Sequence, residues 1–294
     1  QILTHNNAPF LCLINNHKNK YMSTFILWFI PAFFISWKLI SLYKNHIKFQ
    51  HIPFSPLYGD LKIGSDYLDK YITNPLPPAL GEIDDVSLFS SPHFDPILLS
   101  SLVKDFYEQT SLYTLTFEIN WHHPFKIAAY IFSHFTSYIQ QLNLPGISGT
   151  KSKLISQFFS IPLSIDPREG SRAWIRTNQN KEAVFVAFYA THKTHEIPYV
   201  NIAVPLPFSN LSTVLSIKNC GDGLELSTKN RLGDEGLYLV TRFFSIRLPL
   251  SQTFLTFPVL PIGGSKKQIS ATHTMWVFGI KFLTLHYTAY RTTK

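Results

Sequence analysis

The chain is short of charge and almost free of cysteine. Charged residues make up 15% of its 294 positions, against the ~25% usual in soluble domains. Its two cysteines, Cys12 and Cys220, lie far apart in dissimilar contexts, and no CxxC or CxxH spacing occurs. That excludes a disulfide framework and a structural zinc site. The short signatures of hydrolases and nucleotide binders are missing too: there is no G-x-S-x-G, no G-x-G-x-x-G and no P-loop. Gly263-Gly264-Ser265-Lys266-Lys267 has the composition of a phosphate loop but lies between strands and lacks the spacing. No metal and no cofactor is expected. The formal net charge is +8, yet the basic residues are scattered rather than gathered into tracts. Nucleic acid is therefore not expected as a partner, and anionic membrane lipids suit such a charge better.

What the chain does have is apolar and aromatic side chains, 45% and 15% of it. Residues 1–22 read as a polar leader or tail, with Met22 as a possible true start. Residues 23–44 read as a single-pass transmembrane anchor. Thr24 to Trp37 carries no charge, and the run is close to the ~20 residues a bilayer requires. Trp28, Trp37 and Tyr43 suit the interfaces and Lys38 can snorkel. Lys44, His46 and Lys48 follow; with Met22 as the start, the positive-inside rule puts the main domain on the cytoplasmic side, whereas Lys18 and Lys20 argue the opposite. Residues 45–96 hold Pro53, Pro56, Pro75, Pro77, Pro78, Pro92 and Pro96 and read as a linker or wrapping segment without long regular structure.

Residues 97–294 read as an α+β domain. Helical spacing runs from Pro96 to Thr110 and again from Pro124 to Leu142. In the second helix Ile127, Tyr130, Ile131, His134, Phe135, Tyr138 and Leu142 form one stripe, expected to pack into the core. Tyr113 to Trp121 alternates as a strand. From Lys151 onward, strand patterns follow one another with no helix between, separated by Asn/Gly/Asp turns. That order predicts a large antiparallel β-meander, curved or barrel-like, with one or two packed helices. Such sheets commonly close around an apolar cavity.

Few polar residues stand out on this background. Asp166-Pro167-Arg168-Glu169-Gly170-Ser171-Arg172 reads as a solvated turn, or as a grip on an anionic headgroup through Arg168 and Arg172. Gly233-Asp234-Glu235-Gly236 reads as a tight turn, or as carboxylates offered to a ligand or metal. His273 and His286 fall on consecutive strands around Phe278-Gly279, where a histidine is ordinarily a hydrogen-bonded wall residue. The candidate ligand-binding residues are Arg168, Glu169, Arg172, Asp234, His273, Trp276 and His286; no catalytic residue is assigned.

Phe106-Tyr107-Glu108-Gln109-Thr110 with Tyr113, Trp121, Gln140-Gln141-Leu142-Asn143-Leu144-Pro145, Gly233-Asp234-Glu235-Gly236-Leu237-Tyr238, Thr272-His273-Thr274-Met275-Trp276 and Phe282-Leu283-Thr284-Leu285-His286-Tyr287 resemble an uncharacterised family of bacterial membrane-anchored proteins. The resemblance spans Phe106 to Tyr287 and implies an architecture without an activity. Three functions fit. The first is a module that binds a lipid or another apolar ligand in a β-sheet cavity, with Arg172, His273 or His286 at its mouth. The second is an enzyme acting on a membrane-associated small molecule, which requires at least two of His273, His286, Glu169 and Asp234 to converge in one pocket. The third is a protein-interaction scaffold.

Overall fold

The strand patterns pair into one antiparallel sheet that closes on itself. A computed structural model describes residues 49–72, 74–230, 232–259 and 267–292, with Ser41, Lys44 and Lys48. The chain divides into two units, Gln1–Lys48 and Phe49–Lys294; the fold is that of the second. The leader, the anchor apart from Ser41 and Lys44, and the Gly263-to-Lys266 part of the glycine loop lie outside the described residues.

The strands are β1 (Tyr113–Trp121), β2 (Lys151–Ser160), β3 (Glu169–Thr177), β4 (Ala183–Thr194), β5 (Ile197–Leu206), β6 (Ser209–Cys220), β7 (Gly223–Ser227), β8 (Gly236–Thr241), β9 (Ser245–Arg247), β10 (Leu250–Val259), β11 (Gln268–Val277) and β12 (Ile280–Arg291). Their order is β5-β4-β3-β2-β1-β12-β11-β10-β7-β6-β8-β9, and β5 also pairs with β6. That last pairing closes a ten-stranded barrel without open edges and leaves β8 and β9 as a branch, with β9 paired on one side only. Strand β6 makes the branch: Ser209 to Val214 pairs with β8, and Ser216 to Cys220 pairs with β7. The longest-range closure is β1 on β12, with Tyr113 opposite Arg291.

Several turns are two-residue reversals. Phe278 and Gly279, between β11 and β12, both have positive φ, as do His195 and Glu196 between β4 and β5, the geometry whose twist matches that of paired strands. A bulge follows at Met275/Trp276. Another, at Arg176/Thr177 against β4, brings Val184 as well as Phe185 to the inner side.

Alternate residues point into the barrel. Leu115, Phe117, Ile119, Leu154, Trp174, Tyr189, Leu283 and Leu285 belong to the main core there. The Pro-rich segment wraps the outside. Its Leu57, Ile63, Tyr67 and Leu68 pack on outward-facing Ala173, Ile175, Val186, Phe188 and Ala203, while Phe49 and Ile52 pack on Tyr199 and Tyr238. Prolines confine it to short 3-10 turns, one of them Val86–Phe89 capped by the Asp85 side chain.

The first helical pattern splits. Pro96–Leu98 is a 3-10 turn, and helix α1 is Ser101–Glu108, started by the Ser100 hydroxyl, which accepts from Leu102 N–H. Helix α1 leads into the start of β1 and closes that end of the barrel through Val103, Phe106 and Tyr107. Helix α2 is Lys126–Ile139. The loop after it bonds to the end of β1, with Trp121 Nε1 donating to Pro145 O at 2.9 Å, so Leu142 and Leu144 cover the opposite end.

Two expectations are corrected. The apolar stripe of α2 does not face the core. Its buried residues are Ala129, Thr136 and Ile139, and Gly146 lies so near that a Cβ there would stand 2.9 Å from the Tyr130 Cα. The small residues give the closest approach, so they take the inner side. The Asp166-to-Arg172 stretch is not a solvated turn. Asp166 and Arg168 are buried, with Arg168 Nη2 2.7 Å from Asp166 Oδ2. The Ser55 hydroxyl donates to that carboxylate, and Arg168 donates to Phe188 O. The pair ties the Pro-rich wrap to β3 and β4.

Candidate functional site

Strand β3 carries the site. Its inward column is Arg172, Trp174 and Arg176, because each is two residues from the next. Arg172 stays at the rim: it donates to Gly81 O, Gly170 O and Asp84 Oδ2, the last at 2.6 Å. Arg176 goes inside. Its guanidinium lies 4.0 Å from the Trp174 ring centre and 4.2 Å from that of Phe185, a double cation–π contact. The Tyr287 phenol lies close enough to feel its charge. The Arg176 Nε–H is buried without a partner, as is Trp174 Nε1–H. Among the described residues no carboxylate comes within ion-pair distance of Arg176.

These groups line an interior cavity of about 150 Å³. Its walls are apolar, from Phe106 near α1 to Leu142 and Leu144 after α2, and Glu82, Arg176, Gln252 and His273 interrupt them. Against the far end lies an open cleft of about 380 Å³ between α2 and the sheet. Phe117, Leu144, Leu154 and Val184 line both spaces, so these side chains form the partition. Gln141 secures the loop that carries Leu142 and Leu144: its amide donates to Val186 O and Pro205 O and accepts from Val186 N–H.

Protonation inside the barrel departs from the ordinary. Burial pushes the Glu82 carboxyl from near 4.5 up to about 7, against the pull of Arg176 and Arg172. Burial, with the Arg176 charge second, holds His273 down to about 3. It is a neutral ring, bonded to Gln252 Oε1 at 3.0 Å and stacked on Phe254. Burial raises the Tyr189 and Tyr287 phenols. At neutral pH the chamber thus holds one permanent cation and one carboxyl near its midpoint.

The chain is similar to a membrane protein. Over 237 residues it is 37% identical to "Uncharacterized membrane protein YndJ" of Bacillus subtilis (strain 168). The match covers 80% of this chain and 42% of that protein, so the chain spans well under half of its relative's length. No known family profile matches the chain. No solved structure matches it. Among the described residues no helix is long and apolar enough to cross a membrane, which says nothing of strands.

Of the candidates named from sequence, only His273 lines the cavity. His273 and His286 are on paired strands but on opposite faces: His273 stands opposite Leu285, and His286 opposite Thr272. His286 is exposed, with Thr272 Oγ1 at 3.3 Å. Trp276 lies under Lys229 Nζ, away from the cavity. Glu169 is exposed at the start of β3, and Arg168 is taken by Asp166. Asp234 binds its own chain: His51, His192 and Thr194 reach it at 2.7, 3.3 and 2.7 Å. Of the four residues of which an enzyme required at least two in one pocket, only His273 lines the cavity. Among the described residues no group of three His, Cys, Asp or Glu side chains is placed to hold a metal ion. Sequence reasoning passed over Arg176, Trp174, Glu82, Tyr189 and Tyr287. One signal was available: Trp174 and Arg176 alternate with Ala173 and Ile175, which puts a cation on one face with a tryptophan.

A pH experiment reads Glu82. A carboxyl raised on folding makes the native state hold the extra proton between pH 4.5 and about 7, so its contribution to stability falls as pH rises through that window. Glu82→Gln removes the term. Relative to the parent, the variant gains stability steadily from pH 4.5 to 7 and no further above it, measured as urea midpoints across that range. A difference independent of pH would place Glu82 in water.

Proposed function

We propose that the barrel binds a small, largely apolar ligand through a hydrogen-bond-accepting or anionic head. The observation that carries this reading is the apolar cavity lined by Arg176, a cation with no carboxylate in ion-pair range among the described residues. A desolvated charge without a counter-charge is costly, and a ligand carboxylate, phosphate or carbonyl supplies the partner. The cavity alone, about 150 Å³, suits a ring or a short acyl segment, since an engineered cavity of ~150 Å³ takes up benzene. A lipid chain fits if Leu144 swings aside and joins the interior to the outer cleft. The relative's name and the uncharged run Thr24 to Trp37 support a membrane-tethered protein, and Lys44, His46 and Lys48 support a cytoplasmic side for the barrel.

The test is native mass spectrometry of the full chain released from detergent, followed by organic extraction. A stoichiometric apolar molecule with an acidic or carbonyl head is expected. An apo mass, with no thermal shift across a panel of fatty acids, fatty alcohols and phospholipids, sinks the proposal. A second reading, an enzyme acting on a membrane-associated small molecule, is favoured by Glu82 alone. A carboxyl poised near 7 beside bound ligand suits a general base.

A further inference from the structure

The outer face of α2 is built against the usual rule. On a helix that packs on a sheet, the apolar stripe ordinarily turns inward. Here Ile127 is 76% exposed, Ile131 65%, Tyr138 60% and Phe135 51%. At 100° per residue these four fall within one quadrant, opposite buried Ala129 and Thr136. Ile147, in the loop held against the helix through Gly146, is 65% exposed as well. A contiguous apolar surface of this kind on a soluble face marks an interaction site.

We infer that this face lies in a lipid surface. Charge selects the occupant. Helix α2 contains no acidic residue and begins at Lys126. Lys62 reaches over the Tyr138 ring, 5.3 Å from its centre. An apolar stripe set with tyrosine and edged by lysines is the composition of a helix that lies in the headgroup region and is drawn to anionic lipid. A second copy of the helix would bring its lysines against like charges. The position has a consequence for the barrel: α2 forms one wall of the outer cleft through Ser133, His134 and Ser137, and that cleft meets the interior at Leu144. A docked helix opens the cleft toward the bilayer. The docking itself stands whether or not the cavity takes a ligand.

The test uses the full chain with Cys12→Ser and Cys220→Ser, reconstituted in phosphatidylcholine vesicles with and without phosphatidylglycerol. An environment-sensitive fluorophore is attached in the Ile131→Cys variant, or in Phe243→Cys as a control on another exposed residue. The labelled positions are surface sites, so the fold is retained. The expected result at 131 is a blue shift and loss of most of the signal to nitroxide-bearing lipids, stronger with phosphatidylglycerol. The control stays water-exposed. The inference is overturned if the label at 131 remains open to iodide, or if both positions respond alike. A label at 131 shielded from iodide yet untouched by lipid nitroxides overturns it as well, because a protein surface then covers the helix.

Discussion

Replacing Arg168 with methionine is expected to destabilise the protein by about 3–5 kcal/mol, the cost of stripping the partner from a buried ion pair. At roughly 2–4 °C per kcal/mol for a unit of this size, the unfolding midpoint drops by about 6–20 °C. The Asp166 carboxylate has no exposed surface and would keep only the Ser55 hydroxyl and a longer bond from the backbone N–H of residue 168. In the parent, burial by itself would raise that carboxyl. The hydrogen bonds and charge of Arg168 outweigh burial and hold it below the ordinary range. A depressed carboxyl stabilises the fold above its unfolded pKa, and the benefit is lost as pH falls through the folded one. The variant inverts that dependence, because an unpartnered buried carboxyl prefers its proton and the damage eases toward acid pH. Adding Asp166→Leu to Arg168→Met should recover much of the loss. A single variant as stable as the double one would show that the pair does not clamp the wrap.

Replacing Arg176 with methionine is expected to do the reverse: binding goes and the fold stays. Arg176 is held by two aromatic faces, with no carboxylate in ion-pair range among the described residues. Its removal relieves a desolvated charge, and the flexible methionine fills similar space. The unfolding midpoint should hold or rise. A hydrogen bond to a charged group contributes ~1.5–3 kcal/mol, so affinity for an acidic ligand should fall roughly 10- to 150-fold, read as occupancy in native mass spectra or by titration calorimetry. Without the cation, Glu82 should move above 7. A variant that unfolds readily and retains its ligand would make Arg176 a structural strut and refute the head-group assignment.

Much of the fold was legible in local pattern. The alternation of Tyr113 to Trp121 and of Phe282 to Tyr287, and the glycine and asparagine turns between strands, specify an antiparallel meander with its inner and outer faces. Leu283, Leu285 and Tyr287 do share one face, and it is the cavity face. The α2 stripe was read correctly as a stripe and wrongly as core. Periodicity reports that a helix has two faces, and which one is buried depends on what stands opposite, here Gly146 and the loop around it.

The site resisted sequence reading for the same reason. Arg176, Glu82 and His273 lie on segments separated by about a hundred residues each, and no spacing rule links them. Prominent polar stretches misled, because the contacts of Asp166 with Arg168 and Ser55, and of Asp234 with His51 and His192, hold the Pro-rich wrap to the barrel. The sequence by itself determined the strands, their antiparallel order, the irregular wrap and the absence of familiar catalytic motifs, since these follow from near neighbours in the chain. Only the tertiary structure decided which residues share the interior. Closure of β5 on β6 and of β1 on β12 encloses a chamber, and burial there moves Glu82 toward neutrality, keeps His273 uncharged and leaves Arg176 facing an apolar cavity.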